Sequence, residues 1–200
     1  MLSMLSQTPH RAAEEQRAAD DLQFIRHAME RANRFHAVPG AGLVIMGATA
    51  IAAAGLATLA PARLWLPIWV GDAVLAVCVG LVTMYRKARS VNLPVASPSG
   101  QAFLFSFSPP IAAGIVITLA FAAHGVTHLL PGMWLILYGL AALTGGAFSV
   151  RAVSLMGGCF LLLGGVALLA PAELANLFMA VGFGALHVGF GAYLAHRHGG

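Results

Sequence analysis

Apolar residues in this chain do not alternate with polar ones; they run in six blocks, at 38–60, 64–85, 111–130, 133–150, 153–170 and 174–195. A helix needs about 20 mainly apolar residues to cross the roughly 30 Å hydrocarbon core of a bilayer, at about 1.5 Å per residue. Each block meets that length to within a few residues. Barrel strands would show alternating polarity over about ten residues, and none of the blocks does. The pattern predicts an all-α membrane protein with six transmembrane helices. The short links "PAR" at 61–63, "PG" at 131–132 and "PAE" at 171–173 fit tight turns between antiparallel helices. They group the spans into three similarly oriented hairpins, about 38–85, 111–150 and 153–195, within a transmembrane domain of residues 37–200.

Composition sharpens this. The 200 residues are 59% hydrophobic and 9% charged, where an ordinary soluble domain carries about 25% charged residues. No Asp, Glu, Lys or Arg occurs between Ser90 and Val150. The basic residues Arg31, Arg34, Arg86, Lys87, Arg89, Arg151 and Arg197 fall on one side of the predicted spans, and only Arg63 and Glu173 on the other. By the positive-inside rule both termini are cytoplasmic, in a bacterial inner membrane. The pI near 9.7 then reflects basic side chains facing anionic lipid rather than a nucleic-acid partner. The polar segment ahead of the first block argues against a cleavable signal peptide. Cys78 and Cys159 lie inside spans without a CxxC spacing and read as small apolar fillers.

Two segments lie outside the predicted spans. Residues 1–36 form a cytoplasmic leader in which 11–35 reads as an amphipathic helix, with Leu22, Ile25, Met29 and Ala32 as its apolar stripe and Glu30 paired with Arg34. Its five Arg balance five acids, unlike the basic excess of a membrane-surface helix. The stripe therefore suits docking under the bundle, homo-oligomer contact or a cytoplasmic protein partner; a solvated leader that only extends the first span fits equally well. The second segment is a cytoplasmic loop at 86–110. "LPVASPSG" reads there as flexible linker, Phe103, Phe105 and Phe107 as interfacial anchors, and Pro109 and Pro110 as the opening of the third span.

An internal repeat organises the spans. "MGATAIAAAGLATLAPARL" from Met46 aligns with "MGGCFLLLGGVALLAPAEL" from Met156, matching Gly47 with Gly157, Gly55 with Gly165 and "LAPA" with "LAPA". With one residue inserted, Gly71, Gly80 and Arg86 fall on Gly182, Gly191 and Arg197. Gly40, Gly47 and Ala54 recur at sevens, as do Gly157 with Gly164 and Gly158 with Gly165. Such stripes let helix backbones approach closely in lipid, where little hydrophobic drive exists between helices.

Ionisable side chains within spans are costly and are functional candidates. Here they are Asp72, His124, His128 and His187. His124 and His128 in "HGVTH" share a helix face if that stretch is helical, as the two ligands of HExxH do. Asp72, at a similar depth below its own turn, would supply a third metal ligand or pair with His124. His187 lies deeper and could ligate haem only opposite another histidine at matching depth. The competing reading makes "HGVTH" a helix surfacing into water, with His128 wet and His124 bonded to a carbonyl.

The stretch "LMGGCFLLLGGVALLAPAELANLFMAVGFGALHVGFGAYLA" at 155–195 resembles the glycine-rich helical hairpins of HdeD-type small multi-pass bacterial inner-membrane proteins, and "MERANRFHAVPGAG" at 29–42 resembles the start of a group of uncharacterised six-span bacterial membrane proteins. The first resemblance implies a six-span bundle linked to acid-stress tolerance and brings no catalytic residue. No nucleophile-and-base set, phosphate loop or paired carboxylate occurs, and the sequence calls for no cofactor. Two functions stay open: a non-enzymatic inner-membrane protein, stress-related or acting through a cytoplasmic partner, and a transporter of a small solute, protons or metal using Asp72, His124 and His128.

Overall fold

Helix follows the apolar blocks because a backbone in lipid must satisfy its own N–H and C=O groups. The computed structural model describes residues 38–90 and 97–198, with Arg17, Asp20 and Asp21; the expected leader helix at 11–35 lies, apart from those three residues, outside the described part. By contacts the chain divides into Met1–Arg34 and Phe35–Gly200. The second unit contains α1 (Gly40–Leu59), α2 (Trp65–Ser90), α3 (Pro98–Ala123), α4 (Leu130–Gly146), α5 (Arg151–Leu169) and α6 (residues 175–198). The last is α-helical over Ala175–Met179, π-helical over Ala180–Leu186 and α-helical again over His187–His198. Together with the turns leading into them, these make six helices long and apolar enough to cross a membrane. The chain is an all-α membrane protein.

The three turns at one end are built alike. Each helix of the pairs α1/α2, α3/α4 and α5/α6 is joined to the next through one short 3-10 turn, at Ala62–Leu64, Thr127–Leu129 and Ala172–Leu174. The first and third coincide closely: Ala60 and Ala170 have φ/ψ of −84/155° and −83/157°, and Pro61 and Pro171 have −56/144° and −56/141°. Proline fixes φ near −65° and cannot extend the preceding helix, so one "LAPA" gives one geometry twice. The middle turn differs. α3 ends at Ala123, and Gly125 takes φ +72°, which a side chain would resist.

The region expected as a loop at 86–110 is mostly helix. α2 continues to Ser90 and α3 starts at Pro98, leaving residues 91–96 undescribed. Ser97 caps α3, its Oγ accepting from the Gly100 N–H at 3.2 Å, and Pro98 takes the first turn, where its missing N–H costs nothing. Phe103 is buried and stacks on Phe107, so these two of the three expected anchors belong to the bundle, while Phe105 is exposed. Pro109 and Pro110 sit inside α3. They remove the donors that would reach the carbonyls of Phe105 and Ser106. Thr144 of α4 compensates at one of these, its hydroxyl lying 2.9 Å from the Ser106 carbonyl and 2.8 Å from that of Leu140. A period-two reading of the phenylalanines missed this because the cap and the compensating threonine lie outside the pattern.

Packing is extensive between α4 and α5 and between α1 and α6, and lighter for α1 with α2 and α3 with α4. Glycine sets the first two. A Cβ on Gly47 would lie 2.7 Å from the Gly184 carbonyl oxygen, and one on Gly157 would lie 2.7 Å from that of Gly139. Gly191 faces the Gly40 carbonyl and Gly164 that of Gly132. Of the two expected stripes on α5, only Gly157 and Gly164 form a seam; Gly158 and Gly165 face open space.

Candidate functional site

Among the described residues, polar side chains cluster at two places within the bundle. The first sits at the turn end and joins five helices. Asn176, near the start of α6, accepts from Trp65 Nε1 at 2.8 Å and Trp69 Nε1 at 3.3 Å through Oδ1, while its Nδ2 donates to Thr58 Oγ1 of α1 at 3.1 Å. Trp65 stacks on Trp134 of α4 with centroids 5.7 Å apart, and Trp134 Nε1 donates to Thr118 Oγ1 of α3 at 2.8 Å. All three tryptophans of the chain therefore have their N–H satisfied. An amide with both a donor and an acceptor end suits this junction, because it can satisfy indoles on one side and a hydroxyl on the other.

The second grouping lies mid-span. His187 is 2% exposed, and its Nε2 stands 2.7 Å from the Tyr138 hydroxyl of α4. Tyr138, Phe160 and Phe183 surround the imidazole with centroids 5.1, 5.3 and 6.1 Å from it, and Phe107 meets Tyr138 edge-on. The backbone at Gly182 and Phe183, one turn back in the π segment, comes close to the ring, yet no acceptor meets Nδ1 at hydrogen-bonding geometry. A wider π turn displaces carbonyls from their α-helical places, and such turns recur at functional sites. Which of Nε2 and the Tyr138 hydroxyl donates is set by the imidazole tautomer; in either tautomer Nδ1 is a buried ring nitrogen with no partner at hydrogen-bonding geometry.

The candidates expected to form one metal site are not brought together. Asp72 is half-buried and faces Thr49 of α1, not His124. The Thr49 hydroxyl also lies 2.9 Å from the Met46 carbonyl, so carbonyl and carboxylate compete for one proton. His124 is exposed and its Nδ1 is 2.8 Å from the Ala120 carbonyl. His128 is exposed beyond the Gly125 turn, so the two histidines do not share a helix face; glycine in the left-handed region ends the helix between them. No group of three His, Cys, Asp or Glu able to hold a metal occurs among the described residues. His187 meets a tyrosine where haem ligation would call for a second histidine. A cavity of about 60 Å³ lies between the second and third turns, lined by His128, Pro131, Pro171 and Phe178, with room for a few waters.

Sequence reasoning looked for ionisable groups and so passed over Tyr138, Trp65, Trp69, Trp134 and Asn176. The available signal was an uncharged polar residue, Asn176, inside an apolar run beside an i, i+4 tryptophan pair elsewhere. Fold and polar groupings define the class as a six-helix membrane bundle whose interior polar groups bridge helices. No protein-family model, curated protein or solved structure matches the chain.

Proposed function

We propose that the chain is a non-enzymatic multi-pass protein of the bacterial inner membrane, with both termini cytoplasmic, built from an internal three-fold helical repeat and related to the HdeD-type proteins. It acts in stress tolerance, through a cytoplasmic partner held by residues 11–35. The supporting observation is that the interior polar side chains engage one another: Asn176, three tryptophans and two threonines at the turn end, and Tyr138 with His187 mid-span. Groups so engaged brace helices and are not held ready for a substrate. The distribution of basic residues supports the orientation. The test is survival of a gene-deletion strain at low pH, complemented by wild type and by a chain lacking residues 11–35. Rescue by wild type alone is expected; full rescue by the shortened chain sinks the partner, and unchanged survival on deletion sinks the stress role. A reporter at Gly200 active only outside the cytoplasm overturns the orientation.

A second reading, transport of protons, a small solute or a metal, draws on the unpartnered His187 Nδ1 at mid-span. Proton or metal flux into liposomes holding wild type but not His187→Phe would favour it over the first.

A further inference from the structure

Counted from the 3-10 turns, the two glycine interfaces occupy the same register. Gly47 and Gly157 hold one position before Ala62 and Ala172, and Gly184 and Gly139 hold one position after Ala172 and Thr127. A third interface in this register would join α3 to α2 and pair Ala112 with Val74, with Phe105 and Leu81 where Gly40 meets Gly191. α2 and α3 make no comparable contact with each other. Val74, Leu81, Phe105 and Leu119 are between 58% and 79% exposed. Larger side chains stand here at the positions where glycine draws the other pairs together.

The end of this face away from the turns is basic. Arg86 and Arg89 are exposed on the last turns of α2, and the only Asp and Glu side chains after residue 36, Asp72 and Glu173, lie toward or at the opposite end. An apolar face that ends in two guanidinium groups, one of them over the Tyr85 ring and neither in an ion pair among the described residues, matches one occupant in chemistry. We propose that the α2/α3 face is a binding site for an anionic phospholipid, with its chains along Val74, Leu81, Ala112 and Leu119 and its phosphate on Arg86 and Arg89. Guanidinium groups suit the phosphate because their fork of donors matches its oxygens.

Full-length protein in mild detergent, offered equal amounts of phosphatidylglycerol and phosphatidylcholine of the same chains, tests this by native mass spectrometry. Retention of phosphatidylglycerol is expected to exceed that of phosphatidylcholine by about fivefold or more per arginine. Arg86→Gln with Arg89→Gln should bring the two lipids to parity, and Ala112→Phe, which fills the face, should lower retention of both. Arg151→Gln, on α5, should leave the preference intact. Thermal melts establish that each variant is folded; Val74→Phe replaces Ala112→Phe if the latter is not. Parity in the wild type, a preference that survives the double arginine change, retention unaffected by the filling variant, displacement by inorganic phosphate alone, or a dimer that excludes lipid would each overturn the proposal.

Discussion

The α4/α5 interface and the α2/α3 face occupy equivalent places relative to their turns and came out opposite. In the first, Gly139 and Gly157 bring each backbone to the other's carbonyl oxygen. In the second, Val74 stands where Gly139 does and Ala112 where Gly157 does, and the helices do not close. Apolar character is comparable in both, with mean hydropathy over the best window of 1.5 and 2.2 for the spans containing α4 and α5 and of 2.0 and 1.8 for those containing α2 and α3. Lipid already satisfies an apolar surface, so close packing and interhelical hydrogen bonds decide which helices meet. An isopropyl group at Val74 and a methyl group at Ala112, where the first interface has glycine, mark the pair that does not close.

Reversing that difference should produce the largest effect. Gly157→Leu places its Cβ 2.5 Å from the Leu143 nitrogen and 2.7 Å from the Gly139 oxygen; since backbone cannot yield cheaply, we expect a loss of about 3 kcal/mol or failure to fold. Thermal unfolding in detergent measures it. Gly158→Leu, one residue along and facing open space, should leave the midpoint within experimental error, and a comparable loss there would refute the distinction between the two stripes.

Next comes the turn-end junction, which fastens α2 to the bundle despite its open face. Asn176→Ala leaves two indole N–H groups without their acceptor and takes one donor from Thr58, which keeps its bond to the Ala54 carbonyl, an expected cost of about 2 kcal/mol. Asn176→Asp keeps the acceptor and should lose Thr58 only. Tryptophan fluorescence should shift with the Ala change, because Trp65 and Trp69 lose their common acceptor; an unchanged spectrum would mean that α2 is anchored elsewhere.

Mid-span contacts should matter less. Tyr138→Phe removes the partner of His187 Nε2 and should cost about 1 kcal/mol. Thr144→Val withdraws the donor at the Ser106 carbonyl and should cost about 0.6 kcal/mol, the average for such bonds within membranes. If Thr144→Val proves the more damaging of the two, the proline compensation outweighs the histidine pair. At the bottom of the scale, His124→Ala alters an exposed ring bonded to its own helix and should stay within about 0.5 kcal/mol of wild type. A larger loss would reinstate a partner such as Asp72.

What the sequence determined by itself was whatever depends on one helix at a time. Six apolar blocks meant six helices, because lipid forces the backbone to bond internally and sets the length. "LAPA" repeated meant a turn repeated, because proline dictates its own φ and its neighbour's freedom. Span ends moved where side chains outside the apolar run intervened: Ser97 and Pro98 began α3 well before residue 111, and Gly125 cut "HGVTH" in two. Tertiary structure alone decided which groups met. Asp72 and His124 share neither a depth nor a neighbour: His124 caps α3 just before its 3-10 turn, while Asp72 lies well inside α2 and faces Thr49, since the place of a turn moves with one glycine and rotation about a helix axis is fixed by packing against others. The same rotation carried His187 to Tyr138 and Asn176 to two tryptophans more than a hundred residues away. It also assigned Gly157 to an interface and Gly158 to open space, a choice between adjacent, identical residues that only the position of α4 can make.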